Sequence, residues 1–178
     1  MAFLTLVCEV KMAFQRRKRF IKETLLLVGE GFSEKAFLSL LKTYFSNGNY
    51  KISVVTAKGK GPSNVIDHAI STKRHNGHNY CLALLDTDLP WPKSKVQNAE
   101  KEGVTLVPST PCLEGLILKI MNRRVPTTNN ECKDVVHPLL KGAPCDRESY
   151  ERLLSKEIIE DRMIDIPELK SIVDKIRG

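Results

Sequence analysis

Three carboxylates of this chain stand directly behind apolar runs. Glu30 follows Leu25-Leu26-Leu27-Val28-Gly29, and Asp86 and Asp88 follow Cys81-Leu82-Ala83-Leu84-Leu85. A carboxylate at the end of a buried strand is costly without a partner, so the placement asks for a cation. Three such groups make a hard-oxygen cluster suited to Mg²⁺ or Mn²⁺, which favour carboxylate and water over nitrogen or sulfur. In Asp86-Thr87-Asp88 the period of two puts both acids on one side of an extended chain, where they could share an ion. The competing reading of Asp-x-Asp is a turn whose side chains bond to backbone. Glu34 and Glu114 each fall in the first turn of an expected helix. An acid there either complements the helix dipole or adds a ligand, directly or from behind the first three.

Gly59-Lys60-Gly61 offers a second kind of chemistry. Lys60 can present an ammonium to a phosphate while the glycines let backbone N–H groups approach, and Lys58 is an equally placed substitute. The spacing is not that of a Walker loop, and Gly-Lys-Gly is also an ordinary loop sequence. A further basic run, Arg16, Arg17, Lys18 and Arg19, is either a solvated arm or a phosphate contact that is blind to sequence.

The elements that must position these residues alternate in type. Leu25 to Val28 reads as a strand covered on both faces, and Ser33 is the expected N-cap of a helix carrying Phe37, Leu40, Leu41 and Tyr44. Tyr50 to Thr56 is a second strand, and Ser63 or Asn64 opens a helix with Val65, Ile66, Ala69 and Ile70. Cys81 to Leu85 is the third strand, Lys93 to Glu102 a polar helix, and Val104 to Val107 the fourth strand. This β-α-β-α-β-α-β order implies an α/β fold with a four-stranded parallel sheet flanked by helices. Right-handed crossovers then bring Glu30, Lys60, Asp86 and Asp88 to the strands' C-terminal edge. Beyond it lie a helix from Cys112 to Ile120, a polar linker from Pro126 to Asn130, one helix from Arg147 to Ile159 and a last one from Pro167 to Ile176. The expected organisation is an N-terminal basic arm or strand over 1–22, a catalytic domain over 23–125, and a helical C-terminal extension over 126–178 packed on that domain.

Composition bounds the function classes. With 178 residues, 42% hydrophobic and 28% charged, the chain has the make-up of one ordinary globular domain. Lys and Arg number 28 against 21 Asp and Glu, a net charge of +7 that favours polyanionic partners. The cysteines (Cys8, Cys81, Cys112, Cys132 and Cys145) contain no C-x-x-C pair, so neither a zinc ribbon nor a disulfide framework is expected. His68, His75 and His78 read as solvated side chains on a polar stretch, and Cys132 and His137 make no metal spacing. The N-terminus runs apolar then basic, the reverse of a secretory signal. No stretch approaches the ~18 continuous apolar residues of a membrane span. A cytoplasmic protein without a membrane partner is expected.

Leu25 to Glu34, with its strand, Glu30-Gly31 and second acid Glu34, resembles the first motif of TOPRIM domains, and Leu84-Leu85-Asp86-Thr87-Asp88 resembles their Asp-x-Asp motif. Together with Gly59-Lys60-Gly61 and Ser109-Thr110-Pro111-Cys112-Leu113-Glu114, the pattern is most similar to the RloB-like and OLD-family nucleases of prokaryotic and phage defence. The resemblance spans roughly residues 24–121. It implies a Mg²⁺- or Mn²⁺-dependent nuclease acting on DNA, tRNA or another RNA, with Glu30, Asp86 and Asp88 as ligands, Glu34 and Glu114 as further ones, and Lys60 at the scissile phosphate. It also implies an ATPase partner subunit or a homo-oligomer. Two alternatives stand beside it: a catalytically silent TOPRIM-shaped module that binds nucleic acid or a partner, and a HAD-type phosphatase with Asp86 as nucleophile and Asp88 as acid.

Overall fold

The computed structural model describes residues 22–178. Four strands, β1 (Glu23–Gly29), β2 (Tyr50–Thr56), β3 (Tyr80–Asp86) and β4 (Val104–Ser109), form one sheet in the order β2-β1-β3-β4. All three pairings are parallel. The helices that connect them are α1 (Phe32–Phe45), α2 (Gly61–Asn76) and α3 (Lys93–Lys101). The chain then continues through α4 (Leu113–Ile120), α5 (Asn129–Val136), a 3₁₀ turn at His137–Leu139, α6 (Arg147–Glu151), α7 (Lys156–Arg162) and α8 (Pro167–Arg177). The α/β architecture expected from the sequence is therefore the observed one. Among the described residues, no helix is long and apolar enough to cross a membrane.

The period of two along the central strands divides the core. Leu25, Leu27, Leu82 and Leu84 face one side, where they pack with α1, α4 and the C-terminal helices. Leu26, Val28, Cys81, Ala83 and Leu85 face the other, against α2 and α3. Both faces are covered, so β1 and β3 are apolar throughout instead of alternating. The last helix belongs to the first of these layers through Leu169, Ile172, Val173 and Ile176, which recur at helical spacing and are wholly buried.

Several helix boundaries differ from the sequence expectation, each for a local reason. α1 starts at Phe32, with Gly31 and not Ser33 at the N-cap, because Glu34 folds back and Oε2 accepts from the Gly31 N–H at 2.7 Å. A Cβ on Gly31 would stand 2.9 Å from that oxygen. α2 opens at Gly61, ahead of Ser63 and Asn64, with Lys60 in a left-handed N-cap conformation and Pro62 in the first turn, where its fixed φ suits a helix. The polar stretch 126–130 gives its last two residues to α5, which Thr128 and Glu131 cap reciprocally. The expected helix over 147–159 is two helices: α6 ends at Glu151, and Ser155 starts α7 as its N-cap by accepting from the Ile158 N–H at 3.3 Å.

The strand order creates the place for a site. From β1 the chain moves outward to β2, then crosses back over β1 to β3. α1 lies on one face, and α2 and α3 lie on the other. The loops leaving β1 and β3 therefore part company at adjacent strand ends, the crevice where open α/β sheets bind ligands. Gly29 ends β1 at this point. A Cβ there would lie 2.7 Å from Glu34 Cβ and 2.8 Å from the Lys35 nitrogen, so only glycine lets α1 begin so close to the strand.

Candidate functional site

Glu30 is the first residue past β1, and its backbone and side chain tie to opposite neighbours. Its carbonyl accepts from the Gly59 N–H at 2.9 Å and from Thr56 Oγ1 at 3.3 Å, both on the β2 side. Its carboxylate turns the other way, with Oε2 3.4 Å from the Asp86 backbone nitrogen on β3. Glu30 thus sits in the crevice between the two strand ends. It is half-buried. Burial pushes its carboxyl up, Asp88 adds repulsion, and the Asp86 N–H opposes the rise.

Asp86 pairs in register with Ser109 of β4. Its Oδ1 accepts from Ser109 Oγ at 2.8 Å and from the Leu113 N–H at 3.1 Å. The carboxylate therefore caps α4 from another strand, which matters because Cys112 makes no side-chain cap of its own. Thr87 and Trp91 hold the chain beyond it. The Thr87 N–H donates to the Ser109 and Pro111 carbonyls, and Trp91 Nε1 donates to the Asp86 carbonyl at 2.9 Å. The strand ends at Asp86, so Asp88 is not the next in-line residue of an extended chain. Its carboxylate is exposed, and Oδ2 accepts from Asn129 Nδ2 of α5 at 2.8 Å.

Two more acids stand behind this pair. Glu34 is buried in the first turn of α1 and bonds to Gly31; its carboxyl is pushed up by burial, with repulsion from Glu114 and Glu30. Glu114 is buried in the first turn of α4, and its Oε1 lies 3.0 Å from His137 Nε2. Asp86 feels all of them. Burial pushes its carboxyl up to about 7, with Glu34, Glu30 and Glu114 adding to the rise and the Ser109 hydrogen bond opposing it. Among the described residues, none of Glu30, Glu34, Asp86 and Asp88 forms an ion pair. Among the described residues, these four acids are a concentration of negative charge without a paired cation.

The lysine loop follows β2 on the same edge of the sheet. Lys58, Gly59, Lys60 and Gly61 all have positive φ, at 61°, 74°, 76° and 78°. Two lysines in the left-handed region cost roughly 1–2 kcal/mol each relative to glycine. The loop is held against that cost by the Gly59 bond to Glu30 and by Asn64 Nδ2, which donates to the Gly59 carbonyl at 2.8 Å. Lys58 and Lys60 are exposed on it. The basic run Arg16, Arg17, Lys18 and Arg19 lies outside the described residues.

The donor set suits a hard divalent cation. All its atoms are carboxylate oxygens, and Glu30 Oε1 and Asp86 Oδ2 accept no hydrogen bond from any described residue. Among the described residues no group of three or more His, Cys, Asp or Glu side chains is gathered closely enough to hold an ion as it stands. Asp88 is engaged with Asn129 and would have to turn for three of these acids to share an ion. Glu34 and Glu114 are committed to Gly31 and His137. Sequence reasoning did not single out Ser109, Asn129 or His137 as partners of the acids. Ser109 sat inside a quoted motif with no role. Asn129 and His137 reach the site through the path of α5; the chain from Glu131 onward reads as helical in the sequence, but where that helix lies against the sheet cannot be read there. No family model matches the chain, and no curated protein or solved structure matches it.

Proposed function

We propose that this protein is a divalent-cation-dependent phosphodiesterase of the TOPRIM type that cuts nucleic acid. The observation that supports it best is the meeting of Glu30 and Asp86 at the switch point of a parallel sheet, in a carboxylate cluster that no lysine or arginine among the described residues pairs with. Glu30 and Asp86 would hold Mg²⁺ or Mn²⁺, joined by Asp88 once it leaves Asn129. Such a cation, when bound, supplies charge for the leaving oxygen and lowers the pKa of an attacking water. Glu34 and Glu114 act from behind: Glu34 fixes the Glu30-Gly31 turn, and Glu114 adds negative field beneath Asp86. Lys60, with Lys58 beside it, balances charge on the phosphate from the β2 side. The same reading extends to a role in defence against phage, to DNA, tRNA or another RNA as substrate, and to an ATPase partner subunit.

A second reading draws on the Asp88–Asn129 bond and on the lack of a three-ligand group among the described residues. It is a silent TOPRIM-shaped module that binds nucleic acid or a partner protein without cutting. Incubation of the purified protein with tRNA, single-stranded DNA and plasmid, in Mg²⁺, in Mn²⁺ and in EDTA, separates the two. Cleavage that EDTA abolishes supports the phosphodiesterase. Binding without cleavage under every condition supports the module.

A further inference from the structure

Two large apolar side chains stand exposed just past the adjacent ends of β1 and β3. Phe32, two residues past Glu30, is the first residue of α1 and 56% exposed; Leu89, one past Asp88, is 51% exposed. α1 lies on one face of the sheet and the chain past Leu89 runs to α3 on the other, so the two residues leave the adjacent ends of β1 and β3 toward opposite faces. Leu89 also borders the lysine loop, since a Cβ on Gly61 would lie 3.8 Å from its Cδ1. Its exposure is held in place: Trp91 is bonded to the Asp86 carbonyl, Asp88 to Asn129, and Pro90 restricts Leu89 to extended backbone. A shallow cleft of about 240 Å³ opens beside it, lined by Thr87, Leu89, Pro90, Trp91 and Pro108.

We propose that the nucleotides bound here are unpaired, with Phe32 stacking on one base and Leu89 and its cleft receiving a neighbour. The inference rests on the phosphodiesterase reading and narrows its substrate to single strands or single-stranded loops. The reason is geometric. In a duplex each base face is covered by the next base pair, so a phenyl ring beside the site gains contact only with a base outside the stack. Apolar platforms next to cations are how single strands are held without regard to sequence, phosphates on the lysines and bases on the rings. Lys58 and Lys60 stand on the same side as Leu89, so one strand can reach both.

The test is fluorescence anisotropy in EDTA, with labelled oligothymidylate, oligouridylate and a hairpin duplex of equal length, run beside a Mn²⁺ cleavage assay on the same strands. Wild type is expected to bind single strands more tightly than the hairpin. Phe32→Ala should weaken single-strand binding about tenfold or more and leave the duplex unchanged. Phe32→Tyr should keep the affinity, whereas Phe32→Leu, which keeps the bulk, should lose most of it. Melting temperatures of all three variants show whether each is folded. Equal affinity for both forms, or a Phe32→Ala variant that binds as wild type does, overturns the inference, and continued Mn²⁺-dependent cutting would then leave the phosphodiesterase reading standing. Neither binding nor cleavage of any strand by wild type overturns both. Retention of a protein on Phe32 and Leu89, with no effect of their loss on nucleic acid, would assign the surface to a protein partner and also overturn it.

Discussion

Asp86→Asn should stabilise the metal-free protein, and the gain should depend on pH. The Asp86 carboxyl ordinarily titrates near 3.8 and in the folded chain near 7, with burial as the main cause. A folded pKa above the unfolded one means that the native state holds the proton more tightly. Stability is then greatest below about pH 4, declines as pH rises from about 4 to about 7, and is level above that. At ~1.36 kcal/mol per pH unit, the loss across the window is about 4 kcal/mol. Asparagine does not ionise, and its Oδ1 can still accept from Ser109 Oγ and the Leu113 N–H. Allowing about 1–2 kcal/mol for the new amide N–H group, the net gain is ~2 kcal/mol at pH 8 in EDTA and turns into a loss of about 1–2 kcal/mol at pH 4, where the Asp86 carboxyl is already protonated in the folded chain. In melting temperature the gain at pH 8 is roughly 4–8 °C. Urea unfolding followed through the single tryptophan, Trp91, at pH 4, 6 and 8 measures it. Saturating Mn²⁺ should close the gap by stabilising wild type alone. A variant less stable than wild type at pH 8, by an amount that does not change with pH, would refute the argument that Asp86 is held ionised at a cost.

The other predictions follow from the loops and from α5. Lys60→Gly relieves a left-handed side chain and should raise stability by about 1 kcal/mol in thermal unfolding. The same change should lower the log–log salt slope of single-strand binding by ~0.7, the contribution of one phosphate contact. Asn129→Ala frees Asp88 and should tighten Mn²⁺ binding about three- to tenfold by calorimetric titration. Its cost to the fold should be small, since Asn129 Oδ1 is buried without a partner in the described chain. Gly115→Ala places a Cβ 2.5 Å from the Thr110 carbonyl oxygen, against backbone, and should cost about 2 kcal/mol or more in urea unfolding.

The sheet and its edge were legible because their signals are local. Leu25 to Val28 and Cys81 to Leu85 are apolar without alternation, as a doubly covered strand is, and each is followed within two residues by an acid. Strand order was not legible, because right-handed crossovers allow β1-β2-β3-β4 as well; the order β2-β1-β3-β4, which sets Glu30 beside Asp86, is a finding of the fold. Helix starts were less legible, because the caps came from residues with no cap signature. Gly31 serves through Glu34 reaching back, and Lys60 through a left-handed turn that two lysines adopt against their preference. The divergence of Asp86 from Asp88 depends on where β3 stops, and that is set by Ser109 and the α4 backbone, distant in sequence. The C-terminal helices carry the weakest signal. Asn129 and His137 reach the acids along a path set by packing of Cys132 and Val136 in the core, a long-range feature with no local signature.

The central claim is that Glu30 and Asp86 form a metal-dependent cutting site. The most direct measurement is the initial rate of cleavage of a labelled single-stranded oligonucleotide against Mn²⁺ concentration, for wild type and Asp86→Asn side by side. Wild type should show a saturable Mn²⁺ dependence, suppressed by EDTA, and the variant a loss of at least about 100-fold, with the unfolding experiment checking that its fold is intact. Cleavage by Asp86→Asn at the wild-type rate, or wild-type cleavage that persists in EDTA, would contradict the central claim.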